Sequence, residues 1–216
     1  MKYLNKKIVI MLVIISIYSY AFTFNFEKKC LSINLGVNLG YLINDEKSAV
    51  TGNNDFGEAI YEKEKTNPKG NLNFGLNYQH KISPKVSLSS NMEFLSISSI
   101  LKLSSLKTKY QSDFVNVGLL ANYHLSDRVA LGFGPSLTVP LNKTKITPVN
   151  YEGGSKSIDK MKLMTPSFKA NINYDFYQAY GLELSYMHNF SSIVKEDFFF
   201  NKIYVRAISL NLTYKI

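Results

Sequence analysis

The sequence has no tryptophan and a single cysteine, Cys30. One cysteine cannot form an internal disulfide, so the small secreted scaffolds that depend on disulfides are excluded. Charged residues make up only 19% of the chain, while tyrosine and phenylalanine are abundant at 15 and 14 residues. The hydrophobic fraction of 45% is ordinary, which argues against a helical membrane protein with many spans.

The first 24 residues differ from the rest of the chain. Three lysines within the first seven residues precede an apolar run at 8–17, and the small residues Ser19 and Ala21 follow. This pattern predicts a secretory signal peptide, 1–21, cleaved after Ala21 to leave a mature domain, 22–216. An uncleaved anchor helix is the alternative, because the apolar run and its flank are nearly long enough to span a bilayer.

Residues 31–43 alternate between large apolar side chains and small or polar ones, with Leu42 as the exception. A period of two predicts a β-strand with two unlike faces. No segment after 24 shows a sustained period of 3.6, so we predict an all-β protein. The alternating pattern recurs seven more times, at 70–82, 86–97, 113–125, 129–139, 162–176, 180–189 and 204–216.

The predicted strands are joined by connections that alternate between short and long. The short ones contain Pro, Ser or Asp, which are ordinary turn residues, and the long ones are polar. Strict alternation predicts that all turns lie at one end of the molecule and all loops at the other. The three short connections are 83–85, 126–128 and 177–179, and the four long ones are about 44–69, 98–112, 140–161 and 190–199.

Two architectures fit eight antiparallel up-and-down strands. A lipocalin-like barrel is polar outside and holds an apolar ligand inside, whereas an outer-membrane barrel has the reverse arrangement. The polar face here is mostly Gly, Ser and Asn with few charges, which suits a narrow interior better than a solvated exterior. Aromatic residues cluster near both ends of the strands, as expected at two membrane interfaces. These features favour a transmembrane barrel, in which the last strand must pair with the first because an open edge in hydrocarbon is costly.

The predicted signal peptide, the eight alternating strands, the tight Ser-Pro-Lys and Ser-Asp-Arg turns and the terminal LNLTYKI resemble small bacterial outer-membrane β-barrels. The similarity is to the OmpA/OmpX-like group, which has a porin-like β-barrel domain, and it covers essentially the whole mature chain. It implies an eight-stranded antiparallel up-and-down transmembrane β-barrel in the bacterial outer membrane. It also implies a periplasmic mature N-terminus and four loops that face outside.

We find no catalytic grouping in the sequence and predict that the protein is not an enzyme. The three histidines, His80, His124 and His188, are interpreted as residues of interfaces and turn ends. A hydrolase or acyltransferase site needs a nucleophile and a base that converge, and no pattern marks such a pair. No spacing indicates a metal site, and no cofactor is expected.

Charged residues on the predicted inner face are the candidate site. Glu93, Lys169 and Glu183 are expected to point into the barrel, with Lys81 and Asp175 nearer the turn end, together with Lys215. Charges in a narrow barrel must be paired or hydrated. We therefore predict that Lys169 pairs with Glu93 or Glu183 and plugs the lumen as a structural element. The alternative is a hydrated set near the rim.

The predicted function is a structural or surface-interaction role, in adhesion or envelope integrity, carried by the loops. A narrow channel for small solutes and a lipocalin-like soluble carrier are the alternatives. The expected partners are outer-membrane lipid, lipopolysaccharide, and extracellular or host ligands, since two of the long connections are basic. Binding to nucleic acid is not expected, and the protein is expected to be a monomer. The basic residues of those connections include Lys102, Lys107, Lys109, Lys143, Lys145, Lys156 and Lys160.

Overall fold

The computed structural model describes most of the chain after the predicted signal peptide. The predicted signal peptide, 1–21, and its cleavage site lie outside the described residues. Within them, no helix is both long and apolar enough to cross a membrane. The described residues are 29–44, 49–53, 59–62, 65–103, 106–149, 155–158, 161–195 and 202–216.

The described residues form β-strands joined by turns and irregular segments. Eight of the strands form one ring, and four shorter ones lie in the long connections. In chain order the strands are β1 (Lys29–Asn44), β2 (Ala49–Asn53), β3 (Ala59–Glu62), β4 (Lys65–Lys81), β5 (Val86–Leu103), β6 (Leu106–His124), β7 (Val129–Pro140), β8 (Thr144–Pro148), β9 (Lys156–Ile158), β10 (Thr165–Asp175), β11 (Tyr180–Asn189) and β12 (Ile203–Lys215).

The ring is a closed antiparallel up-and-down β-barrel. Its order is β1, β4, β5, β6, β7, β10, β11 and β12, and each strand pairs with the next along the chain. β12 then pairs with β1 in an unbroken register from Ser32 opposite Lys215 to Asn44 opposite Ile203. The predicted fold class and the predicted closure of the last strand on the first are confirmed. Closure leaves no edge of the ring unpaired, which is a requirement for crossing hydrocarbon.

The tight turns lie where the sequence predicts them. Ile82 N donates to Val86 O at 3.0 Å, Leu125 N to Val129 O at 2.9 Å, and Tyr177 N to Tyr180 O at 3.2 Å. The strands of the ring alternate in direction, and the turns join the second to the third, the fourth to the fifth and the sixth to the seventh, so all three turns lie at one end of the barrel. The predicted separation of turns from long connections is therefore observed.

The long connections contain more strand than the sequence predicts. The prediction placed 65–69, 98–103 and 106–112 in loops, and the structure shows them as continuations of β4, β5 and β6. β8 and β9 extend this part of the sheet from the edge of β6, and β2 pairs with β3 in a separate hairpin. Alternation does not reveal these segments because many of their residues are polar, including the buried Ser98, Ser99 and Ser112, although their backbone pairing continues.

The apolar face of the barrel strands points outward. Leu35 is 62% exposed and Leu72 is 72% exposed, whereas Asn38 and Asn211 on the other face are at most 1% exposed. An apolar exterior around a polar interior is the arrangement of an outer-membrane barrel. A lipocalin-like carrier has the reverse arrangement, so the structure does not support that alternative.

Glycines on the inner face make room for long polar side chains on adjacent strands. Gly132 lies opposite Asn171 on one side and Asn122 on the other. A Cβ atom at Gly132 would lie 2.1 Å from Asn171 Oδ1 and 2.3 Å from Asn122 Oδ1. Gly75 lies opposite Glu93, and a Cβ atom at Gly75 would lie 3.4 Å from Glu93 Cβ. The interior of an eight-stranded barrel is just wide enough for side chains, so the small residues decide where the large polar ones fit.

Candidate functional site

The lumen contains a buried charged cluster of Glu93, Lys169 and Glu183. Lys169 Nζ lies 2.9 Å from Glu93 Oε2 and 3.4 Å from Glu183 Oε1. The three residues are 1–4% exposed. They come from β5, β10 and β11, and β6 and β7 separate β5 from β10 in the ring. The contact between Lys169 and Glu93 therefore crosses the lumen.

Asparagine side chains surround the two carboxylates with hydrogen-bond donors. Asn73 Nδ2 donates to Glu93 Oε1 at 2.8 Å, and Asn171 Nδ2 donates to Glu183 Oε2 at 2.9 Å. Asn211 Nδ2 lies 3.3 Å from Glu93 Oε1 and 3.1 Å from Glu183 Oε1, so it bridges the two acids. Buried charges are tolerated when their remaining polar atoms are also satisfied. Asn73, Asn171 and Asn211 lie at polar positions of the alternating strands, but the alternation does not connect them with the charges.

A second polar cluster of hydroxyl and amide groups lies beside the charges. Asn116 Nδ2 lies 3.1–3.2 Å from Ser136 Oγ, Ser167 Oγ and Thr138 Oγ1. Ser136 and Ser167 share a hydrogen bond of 2.7 Å, and Thr138 Oγ1 donates to Asn189 Oδ1 at 3.0 Å. These residues come from β6, β7, β10 and β11. The network therefore ties four consecutive strands together through their inner faces.

Toward the long connections, the interior becomes apolar. Ile193 and Val194, which follow β11, are fully buried in this part of the molecule. Ile193 N donates to Ile203 O, and Lys162 N donates to Ile193 O, both at 2.8 Å. The irregular segment after β11 is therefore anchored against its neighbours. We call this group the apolar plug, and its buried members are Leu42, Leu95, Ile97, Tyr110, Phe114, Ile158, Met187, Ile193, Val194, Ile203, Val205 and Ala207.

The apolar plug corrects the expectation that the interior is polar along its whole length. Leu95, Ile97 and Phe114 occupy the same alternating positions as Glu93 and other inward residues, but farther from the tight turns. There the strands and connections cover the interior together, and apolar packing stabilises it as in the core of a water-soluble protein. A prediction that assigns one polarity to each face of a strand does not include a change from polar to apolar inward-facing side chains along the barrel axis.

The turn end of the lumen has a small polar cleft of about 40 Å³. Its lining includes Cys30, His124, Asp175 and Lys215. Asp175 and Lys215 form an ion pair with both side chains about 30% exposed. Lys81 is exposed at this end and forms no ion pair with a described carboxylate. Of the six charged residues that the sequence singles out, the structure brings three together in the lumen and places three near the rim.

A contact between Ser87 and His124 lies beside this cleft. No pattern in the sequence indicates it. Ser87 Oγ is 2.9 Å from His124 Nε2, and Gln79 Nε2 donates to the same hydroxyl at 2.6 Å. Ser87 is fully buried, so its hydroxyl serves the hydrogen-bond network and is not presented to a substrate. In the part of the chain that the structure describes, no group of His, Cys, Asp or Glu side chains is arranged to hold a metal ion.

Comparisons with known proteins give the same architecture. Neisserial surface protein A matches with a TM-score of 0.52 at 9% identity, covering 86% of this chain and 97% of that one. Ail of Yersinia pestis, solved in complex with the heparin analogue sucrose octasulfate, matches with a TM-score of 0.47 at 13% identity over 88% and 99% of the two chains. A search of curated proteins found no match. The family model described as an outer membrane protein β-barrel domain matches residues 25–195. The chain therefore belongs to the outer membrane protein β-barrel domain family and is a protein of the bacterial outer membrane.

Proposed function

We propose that this protein is a structural and surface-interaction component of the outer membrane with a closed lumen. The observation that carries the proposal is the filling of the barrel interior. A buried ion-paired cluster of Glu93, Lys169 and Glu183 crosses the lumen, and the apolar plug fills the interior toward the long connections. In this reading, residues 1–21 direct export and the barrel of 22–216 acts as a monomer without catalysis.

The charged cluster and the apolar plug both oppose the passage of a solute. An ion entering the charged cluster would have to replace contacts between buried charged groups. Each group left unpaired would cost several kcal/mol. An ion in the apolar plug would lose its hydration with no polar partner in exchange. A narrow solute channel is therefore the less supported reading. The extended strands and long connections remain as the surface that meets partners.

The experiment that tests this proposal combines a folding assay with an electrical one. Mature protein is refolded into phosphatidylcholine vesicles and run on a gel with and without boiling, and single-channel conductance is recorded in planar bilayers. We expect a faster-moving unboiled band and silent bilayers. Discrete conductance steps from protein with the same gel shift would overturn the closed lumen and favour the channel. Vesicles prepared without protein provide the baseline.

A further inference from the structure

Four lysines cluster on the sheet that extends beyond the ring of the barrel. Lys102 on β5 and Lys107 on β6 are direct cross-strand partners. Lys109 lies two residues after Lys107, and Lys145 on the neighbouring strand β8 pairs with Gln111. These residues are far apart in sequence but share one small area of three adjacent strands. We call this group the lysine face.

The lysine face is on the outer side of the sheet. Side chains two residues apart on a strand share a face, so Lys107 and Lys109 share the face of Val115 and Val117. Directly paired residues on neighbouring strands also share a face, which adds Lys102 and Lys145. Lys109 lies six residues, about 20 Å of extended strand, beyond Val115. The lysine face therefore continues the lipid-facing wall into the polar region outside the hydrocarbon.

The lysine face is not neutralised by an ion pair within the described residues. Lys102, Lys107 and Lys145 are exposed and Lys109 is half-buried, and none of the four forms an ion pair with a carboxylate of the described residues. Asp113, an acid on the same side of β6, is held by a hydrogen bond from Asn142 Nδ2. Like charges placed directly opposite each other on paired strands are destabilising. The pair Lys102 and Lys107 is therefore maintained at a cost that an external anion would relieve.

We propose that the lysine face binds the phosphate groups of lipopolysaccharide in the surrounding outer leaflet. The orientation of the face selects this partner, because its side chains point sideways into the membrane surroundings as a continuation of the lipid-facing wall. A lysine ammonium is a compact point charge on a flexible stem, which suits phosphates that are not fixed in one position. The inference deepens the proposed surface-interaction role and rests on it.

The experiment compares two variants with equal loss of charge. K102Q/K107Q removes the facing pair, and K85Q/R128Q removes two exposed cations of the tight turns at the opposite end. Each protein is reconstituted into phosphatidylcholine nanodiscs and titrated with purified lipopolysaccharide, with its enzymatically dephosphorylated form and with soluble heparin. A basic residue near an anionic surface contributes about a fivefold change in binding, so we expect K102Q/K107Q to bind about 25-fold more weakly. K85Q/R128Q should bind like the unmodified protein.

Three outcomes would overturn the inference. These are equal binding by K102Q/K107Q and the unmodified protein, equal binding of phosphorylated and dephosphorylated lipopolysaccharide, and a preference for soluble heparin over lipopolysaccharide at the same lysines. A normal gel shift of the unboiled band verifies that each variant is folded. Conductance is recorded separately, so an open channel would refute the closed lumen without deciding whether the lysine face binds phosphate.

Discussion

Lys169 and Glu93 are 76 residues apart in sequence, yet their side chains meet across the lumen with Nζ and Oε2 2.9 Å apart. Glu183 completes the cluster at 3.4 Å from the same ammonium group. The strands that carry Lys169 and Glu93 are not neighbours in the ring. The contact thus joins two non-adjacent walls of the barrel, and its removal is expected to lower the stability of the fold.

Replacing Lys169 with methionine should destabilise the barrel without opening it. The substitution leaves Glu93 and Glu183 buried without their cation, and breaking a buried ion pair in this way costs about 3–5 kcal/mol. The free energy of unfolding is measured by urea titration, following the unboiled gel band because the chain lacks tryptophan. Lys85→Met, at an exposed turn position, is the control. A large rise in conductance would mean instead that Lys169 acts as a gate.

Neutralising the two acids should restore part of the stability lost in K169M. In K169M/E93Q/E183Q no charge of the cluster remains, and glutamine oxygens can still accept hydrogen bonds from Asn73, Asn171 and Asn211. Replacing all members of a buried charge cluster is far less costly than removing one. We therefore expect the triple variant to unfold at a higher urea concentration than K169M. If the triple variant is less stable than K169M, the contribution of the cluster to stability depends on hydrogen-bond geometry more than on charge.

Gly132→Ala should destabilise the barrel, whereas Gly70→Ala should have little effect. A Cβ atom at Gly132 would overlap the amide oxygens of Asn171 and Asn122, but at Gly70 the nearest heavy atom is 3.9 Å away. Overpacking of this kind typically costs about 1–3 kcal/mol. Both glycines lie in strands, so the difference in urea midpoint isolates the packing effect. Equal midpoints would show that the asparagine side chains move aside without cost.

Phe114→Ala should weaken the apolar plug while the bilayers remain silent. Phe114 is fully buried, and truncation of a buried phenylalanine costs about 3–5 kcal/mol. The charged cluster lies nearer the tight turns than Phe114 and is untouched by the substitution, so it should still block the lumen. Tyr177→Ala, at a turn position that is 67% exposed, is the control. Conductance in Phe114→Ala would show that the plug alone closes the barrel.

Much of the ring is encoded in local patterns. The alternation at 31–43 is enough to predict β1 and its two faces, and the tight turn at 83–85 is enough to predict that β4 and β5 pair. The positions of some large inner side chains depend on glycines of adjacent strands, such as Gly132 beside Asn171 and Asn122. That dependence appears only once the register between strands is known. The sequence therefore left open whether Lys169 approaches Glu93 or Glu183, and in the structure its ammonium group is close to both.

The extension of β5 and β6 and the apolar plug could not be predicted in this way. In the extension of β6 the inner face carries Thr108, Tyr110 and Ser112, of which only Tyr110 is apolar, so no apolar alternation reveals the strand. Ile193 and Val194 belong to an irregular segment whose burial depends on where the chain packs after β11. Both features arise from contacts between distant parts of the sequence, and neither has a periodic signature.

The seam between β1 and β12 closes the barrel and carries part of its buried polar network. The two strands lie at opposite ends of the described chain, so their pairing is the most non-local in the ring, and non-local pairing is slow. Asn211, which bridges the two buried acids, is carried by β12. Until that strand arrives, Glu93 and Glu183 lack this donor and remain open to water. Closure of the wall by β12 therefore also completes the hydrogen bonds of the buried acids, and a barrel without that strand leaves them exposed to water.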